Sequence, residues 1–237
     1  MAVAPFAIEE PPPPEARSHP GLPGGPHDVL FGGVYDWYDP LLVVSAWPRV
    51  LEAVPTARLI FCESPNPGTT PQVLLSAVKA RAAELGLLGS AIHALPWVAF
   101  EDRGPWLRSF RAAVVAHRPS LETTLSFRTR VIEALWASLP VVSTPGGAAS
   151  ELLEVNGAGL VVPAGPEALA EALVSVLSNP ATHAALVANA ARLARSFAPR
   201  VALAPLLSFA ASPRRLPVSP PATSTARRVL RKVLGRR

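Results

Sequence analysis

The chain has 237 residues, 49% of them hydrophobic, which allows one sizeable core or two small ones and burial of roughly 70% of the unfolded surface; a disordered polypeptide is excluded. The net charge of +5 misrepresents the body, because eight of the 22 basic side chains lie in residues 212–237, which hold no acid, leaving 14 basic against 17 acidic groups in the first 211 residues, a net of −3. That balance argues against a nucleic-acid-binding body, no apolar run approaches the ~20 residues of a membrane span, and the start, without a basic region and soon meeting Glu9 and Glu10, is not a signal peptide.

Residues 1–27 are dense in proline and glycine, with four consecutive prolines at 11–14. Such a segment favours extended backbone, builds no core and reads as a linker. From Asp28 the pattern alternates. Val29–Phe31 is a short apolar run ended by Gly32 and Gly33, a buried strand. Pro40–Val54 has apolar residues at helical spacing, with Pro40 suited to a first turn. Arg58–Cys62 reads as a second strand, and its Cys62, the single cysteine, is a small core residue of a reduced compartment. Gln72–Leu85 is a helix stopped by Gly86. Ala91–Leu95 is a weaker strand, Trp106–Phe110 a short helix and Ala112–Ala116 a strand. Thr129–Ser138 is helical, Pro140–Ser143 a strand, Ala148–Glu154 a helix closed near Gly157, and Leu160–Val162 the last strand. Glu167–Leu177 and Ala181–Phe197 are alanine-rich helices. Strands and helices in alternation, with nearly continuous apolar strands, predict an α/β fold: a doubly wound, Rossmann-like parallel sheet over residues 28–211, covered by helices on both faces. Ligands are expected at the carboxyl ends of its strands.

One stretch carries the chemistry, Glu122 to Glu133. A polar loop holding Arg128 and Arg130 opens a helix, and Glu133 follows one turn in. An anion there meets helix N–H groups and two guanidinium forks, with a carboxylate nearby for hydroxyl hydrogens. Phosphate plus sugar hydroxyls describes a nucleotide sugar. Arg128 and Arg130 clamp a diphosphate, or else form a solvated helix start, although cations in a first turn oppose the helix dipole. Glu133 holds ribose hydroxyls, or is a surface glutamate. Glu122 contacts the donor sugar or caps its loop. The pairs Gly32/Gly33 and Gly146/Gly147 let backbone approach phosphates or simply make turns. Trp37 and Tyr38 wall the nucleotide pocket or pack. His93 and His117 are structural, and no metal-ligand spacing occurs. In the tail, Val229, Leu230, Val233 and Leu234 form a stripe among cations, which suits an interfacial helix on anionic lipid; a solvated basic tail is the alternative.

These residues resemble the C-terminal, donor-binding half of a GT-B glycosyltransferase of the family-4 retaining type. The likeness runs over about residues 28–210: Gly32-Gly33 after the first strand, Arg118 through Glu133, Leu139 through Gly147 with Glu151, Gly157 through Pro163, and Pro166 through Leu173. Trp37-Tyr-Asp-Pro40 and Ser126-Phe-Arg-Thr-Arg130 are similar to the WFDP and SFRTR signatures of a bacterial subgroup. The resemblance implies transfer of a hexosyl group from a UDP-, GDP- or TDP-linked sugar to a hydroxyl acceptor of a bacterial glycan or cell envelope, without a metal. Glu122, Arg128 and Arg130 would then be catalytic, and Gly32, Gly33, Trp37, Ser126, Phe127, Thr129, Glu133, Gly146 and Gly147 donor-binding. The chain departs from the family in three ways. The first of the family's two glutamates falls on Leu125, with Glu122 as substitute. The family's phosphate-holding cations after the first strand fall near Gly33 and Tyr38, and Arg128 and Arg130 could supply that charge from the opposite loop. The acceptor half is missing, as if the chain begins at its own linker; an N-terminal partner chain and little activity alone are expected. Non-catalytic alternatives are a nucleotide-sugar-binding or partner-binding scaffold, and a nucleotide-sugar epimerase is a further enzyme rival. The expected location is cytoplasmic, peripheral on the inner face of the membrane.

Overall fold

Six short apolar runs pair as strands: β1 (Asp28–Gly33), β2 (Arg58–Cys62), β3 (Ile92–Leu95), β4 (Ala112–Val115), β5 (Val141–Ser143) and β6 (Gly159–Val161). The computed structural model describes residues 5–9, 15–19, 21–64, 68 and 72–213; the proline run at 11–14 and the tail stripe at 229–234 lie outside the described residues. Every strand pair is parallel, in the order β3-β2-β1-β4-β5-β6. The strands are apolar on both sides because both faces are covered: β4 is buried at all four positions and β2 at four of five. The α/β doubly wound architecture expected from the alternation is the one observed.

Between and after the strands run α1 (Pro40–Ala53), α2 (Val73–Glu84), α3 (Phe100–Leu107), α4 (Leu121–Leu125), α5 (Thr129–Trp136), α6 (Gly147–Asn156), α7 (Pro166–Ser178), α8 (Pro180–Ala194), α9 (Pro199–Ala202) and α10 (Ala204–Ala211). Helix α1 starts where Asp39 accepts the Leu42 N–H at 3.2 Å and Pro40 occupies the first turn. It buries Val43, Val44, Trp47 and Val50 and packs against α2 and α7. Helix α5 buries Val131, Ile132, Ala134 and Leu135 and packs on α8.

Three local expectations differ. The helix read at Trp106–Phe110 is α3, six residues earlier. Gly104 and Pro105 look like a break, but Glu101 and Asp102 in the first turn favour the helix start, and Phe110 is buried leading into β4. Helix α4 was not expected; Ser120 caps it by accepting the Thr123 N–H at 3.1 Å. Residues 195–197 leave α8 as a 3₁₀ turn rather than continuing it. The described parts of 1–27 lie against the domain: Ile8 and Leu22 pack on the core, and Ile8 donates to the Phe197 carbonyl at 2.9 Å.

β1 pairs with β2 on one side and β4 on the other, so chain direction across the sheet reverses there. The crevice outside the carboxyl ends of β1 and β4 is where this topology leaves room for a ligand.

Candidate functional site

A cavity of about 410 Å³ opens at that crevice. Its floor is the end of β1 (Leu30–Gly33), with Cys62 of β2 and Ala113–Val115 of β4 beside it. Tyr35, Trp37 and Tyr38 from the β1–α1 loop form one wall, and Trp97, Val98, Arg103, Trp106 and Leu107 another; Thr129, Arg130, Glu133 and Ala134 of α5 face both. Size and lining, aromatic with a few charged groups, are those of a small-molecule site.

Arg130 crosses from α5 to the end of β1. Its Nη1 donates to the Phe31 carbonyl and its Nη2 to the Gly33 carbonyl, both at 2.8 Å, and its guanidinium lies 3.7 Å from the Tyr38 ring centroid. Burial pulls its pKa down, opposed by Tyr38 and Glu133, yet an arginine stays charged. Arg130 thus places a guanidinium from α5 at the end of β1. Gly32, at φ +83, turns the β1 backbone at this point. Tyr35 and Trp37 stack with centroids 5.0 Å apart and planes within 4°.

Glu133, half-buried, accepts from Arg103 Nη2 at 2.7 Å, and Arg103 stands 5.7 Å from the Trp97 ring centroid. Neither Arg103 nor Trp97 was singled out in the sequence. The available signal was position: Trp97 follows the carboxyl end of β3, and such ends face a ligand in this topology.

A second cluster shares Tyr38 with the cavity. Arg128, 3% exposed, holds Glu122 in a two-pronged pair, Nη1 to Oε1 at 2.6 Å and Nη2 to Oε2 at 2.5 Å. Its Nη1 also reaches Ser126 Oγ at 3.3 Å, and its guanidinium lies 5.5 Å from the Tyr38 ring. The bond from Arg128 holds the Glu122 carboxyl below the usual carboxylate range. His117, buried at the end of β4, stacks on Tyr38 at 5.6 Å; burial, then Arg128 and Arg130, push its pKa down to about 4. Within the described residues neither His117 Nε2 nor Arg128 Nε has a hydrogen-bond partner.

The structure therefore brings Gly32, Gly33, Trp37, Thr129, Arg130 and Glu133 to one cavity, and groups Glu122, Ser126 and Arg128 beside it. Phe127 lies elsewhere, its ring 6.0 Å from Phe6 and 6.5 Å from Phe197. Gly146 and Gly147 start α6 against the α4 loop, where a Cβ on Gly147 would come within 2.6 Å of the Thr123 carbonyl oxygen. Burial pushes the Cys62 thiol up to about 12, so it stays protonated. Among the described residues no group of three or more His, Cys, Asp or Glu is placed to hold a metal ion, and no helix is long and apolar enough to cross a membrane.

Among solved structures, the chain is similar to Anabaena HepE in complex with UDP and glucose, with a TM-score of 0.65 and 18% identity over 80% of this chain and 49% of that one. Sucrose-phosphate synthase from Thermosynechococcus elongatus matches with a TM-score of 0.68 and 22% identity, over 89% of this chain and 53% of that one. The C-terminal domain of the glycosyl transferase group 1 family protein LpcC from Francisella tularensis matches with a TM-score of 0.60 and 18% identity, over 74% of this chain and 87% of that one. At such identities the likeness is one of fold, and the chain spans about half the length of HepE and the synthase. No curated protein matches. The family profile described as "Glycosyl transferases group 1" matches residues 26–179, which include β1 through α7, the whole cavity wall and both arginine–glutamate pairs, and on that match the chain belongs to the glycosyl transferases group 1.

Proposed function

We propose that this chain binds a nucleotide-diphospho-sugar in the β1–β4 crevice, as the donor-binding half of a family-4 retaining hexosyltransferase of the SFRTR subgroup. The observation that carries the reading is the convergence of Arg130, Glu133 and Arg103 on one aromatic cavity at the sheet's carboxyl edge. HepE, similar in fold, is known in complexes with UDP and with UDP-glucose. In the proposed arrangement Glu133 takes ribose hydroxyls, exchanging Arg103 for them. Arg130 and the first N–H groups of α5 take the diphosphate, and the aromatic walls take the base. Positive charge fixed beside the departing diphosphate lowers the barrier to its release. Arginine supplies that charge, so the proposal calls for no metal.

Arg128 is committed to Glu122 in this arrangement. We propose that donor arrival loosens the pair, turning the fork toward phosphate and leaving Glu122 beside the sugar. Transfer to a hydroxyl, in a bacterial glycan or cell-envelope pathway, would come with an acceptor-binding lobe in the same polypeptide or a partner chain.

Calorimetric titration with UDP, GDP and dTDP tests the reading. Glu133→Ala and Arg130→Ala are each expected to weaken binding by roughly tenfold or more, the worth of a charge-assisted hydrogen bond. If folded protein takes none of the three at millimolar concentration, the donor site is refuted. A second reading, a binder without transfer, is favoured by Leu125: it takes the place of the family's first glutamate and is 76% exposed. It predicts nucleotide binding with no turnover even when an acceptor lobe is supplied.

A further inference from the structure

The segment before β1 grips the outer wall of the cavity at both ends. His19 accepts the Gly21 N–H on Nδ1 at 2.9 Å, which fixes the tautomer carrying its proton on Nε2, and Nε2 donates to the Pro96 carbonyl at 3.2 Å. Pro96 directly precedes Trp97. The same imidazole stands edge-on to Trp106, with centroids 6.4 Å apart. Arg17 donates its backbone N–H to the Pro105 carbonyl at 2.9 Å and its guanidinium to Asp102 at 3.1 Å. The gripping residues are themselves braced. Ser18 Oγ accepts from Gly24 N–H at 2.9 Å, the His19 carbonyl accepts from Leu22 N–H at 3.0 Å, and Arg58 donates to the Pro23 carbonyl at 2.7 Å.

Helix α3 has little strength of its own. It spans eight residues, lacks a side-chain cap, contains Pro105 and leaves Phe100 75% exposed; a helix this short is marginal without tertiary support. Yet it carries Arg103, the partner of Glu133.

We propose that residues 17–19 form a clasp that holds the Trp97–Leu107 wall over the cavity, with His19 and the Arg17 backbone as positioning groups for nucleotide recognition. The proposal rests on the donor-binding reading above. It assigns to the apparent linker a part in the site, through contacts with the wall rather than with the ligand.

The test uses the full chain and the variants His19→Ala, His19→Gln and Arg17→Pro, the last removing the backbone donor together with the exposed ion pair to Asp102. Each is titrated with UDP, GDP and dTDP, and amide exchange is followed by mass spectrometry. The nucleotide that binds the parent protein is expected to lose roughly three- to tenfold in affinity in His19→Ala and Arg17→Pro, the effect of one net hydrogen bond. His19→Gln, whose amide N–H reaches the same carbonyl, restores most of it. Exchange accelerates across 97–107 and not in β1 or β4, which a general loss of stability would not produce. Unchanged affinity in His19→Ala, with nucleotide still bound, overturns the clasp and leaves the donor site standing. A His19→Gln protein as weak as His19→Ala overturns the hydrogen-bond role even if Arg17→Pro fails to fold. No binding by the folded parent chain refutes the donor site and the clasp together.

Discussion

His117 is an imidazole stacked on Tyr38 that feels the charge of two arginines, Arg128 and Arg130. It is 3% exposed, donates its backbone N–H to the Thr144 hydroxyl at 2.9 Å, and among the described residues its Nε2 has no hydrogen-bond partner. Burial and the nearby cations favour the neutral ring, so its pKa falls from 6.5 to about 4. Above about pH 6.5 the ring is neutral folded and unfolded, and it contributes no pH dependence. Between about 6.5 and 4 the unfolded chain binds a proton that the folded chain refuses, so stability falls as pH falls, by about 3 kcal/mol over the window. Glu122, held ionised by Arg128, acts in the same direction at lower pH. Thermal unfolding followed from pH 7 to pH 4 is expected to show this loss, and His117→Phe, which stacks on Tyr38 but cannot titrate, is expected to flatten it. An equally steep profile in the variant would place the titration elsewhere.

At the scale of elements, the start of α6 is fitted to α4. Gly147 has φ +71, and an added Cβ would meet the Thr123 carbonyl oxygen at 2.6 Å and the Ser126 carbonyl oxygen at 3.2 Å. Gly147→Ala is expected to destabilise by about 2 kcal/mol or more through both strain and clash. Gly165→Ala, at φ −153 with nothing near its Cβ position, is expected to stay near neutral; chemical denaturation compares the two. The same contrast separates what sequence could tell from what it could not. β2 was readable at its exact ends, Arg58–Cys62, because a run of buried apolar residues bounded by polar ones has few other uses. Gly32, Gly33 and Arg130 were readable because each sits at the end or start of such an element, and Glu133 because it follows one turn into α5. Arg103 was not: its partner Glu133 lies 30 residues away, and no periodicity links them. The pairing of Arg128 with Glu122 was equally hidden, because a short helix that reads as loop sets their spacing.

The whole molecule divides its charge unevenly. No aspartate or glutamate follows Glu171, whereas residues 172–237 hold 11 of the 22 lysines and arginines. Within that region Val201, Leu206, Leu207 and Phe209 are each more than half exposed, and α10 buries no residue. We propose that this end meets an anionic membrane surface, apolar side chains entering the interface and cations lying above it. Phosphatidylglycerol vesicles are expected to sediment the protein at low salt and release it at high salt, while phosphatidylcholine vesicles do not. Leu206→Ser with Phe209→Ser is expected to reduce binding by roughly tenfold, from the loss of inserted apolar area. Binding to both lipids alike, or to neither, would remove the membrane from the account.

The packing of α1 on α7 has a consequence during synthesis. The apolar stripe of α1 is complete by Ala53 and α2 follows by Glu84, but α7, the other helix packed on it, begins only at Pro166. At about 5–20 residues per second, the ribosome needs roughly 6–25 s to deliver α7. Through that interval the nascent chain carries the part of the α1 surface that α7 will cover, and chaperone occupancy would guard it until α7 has been made.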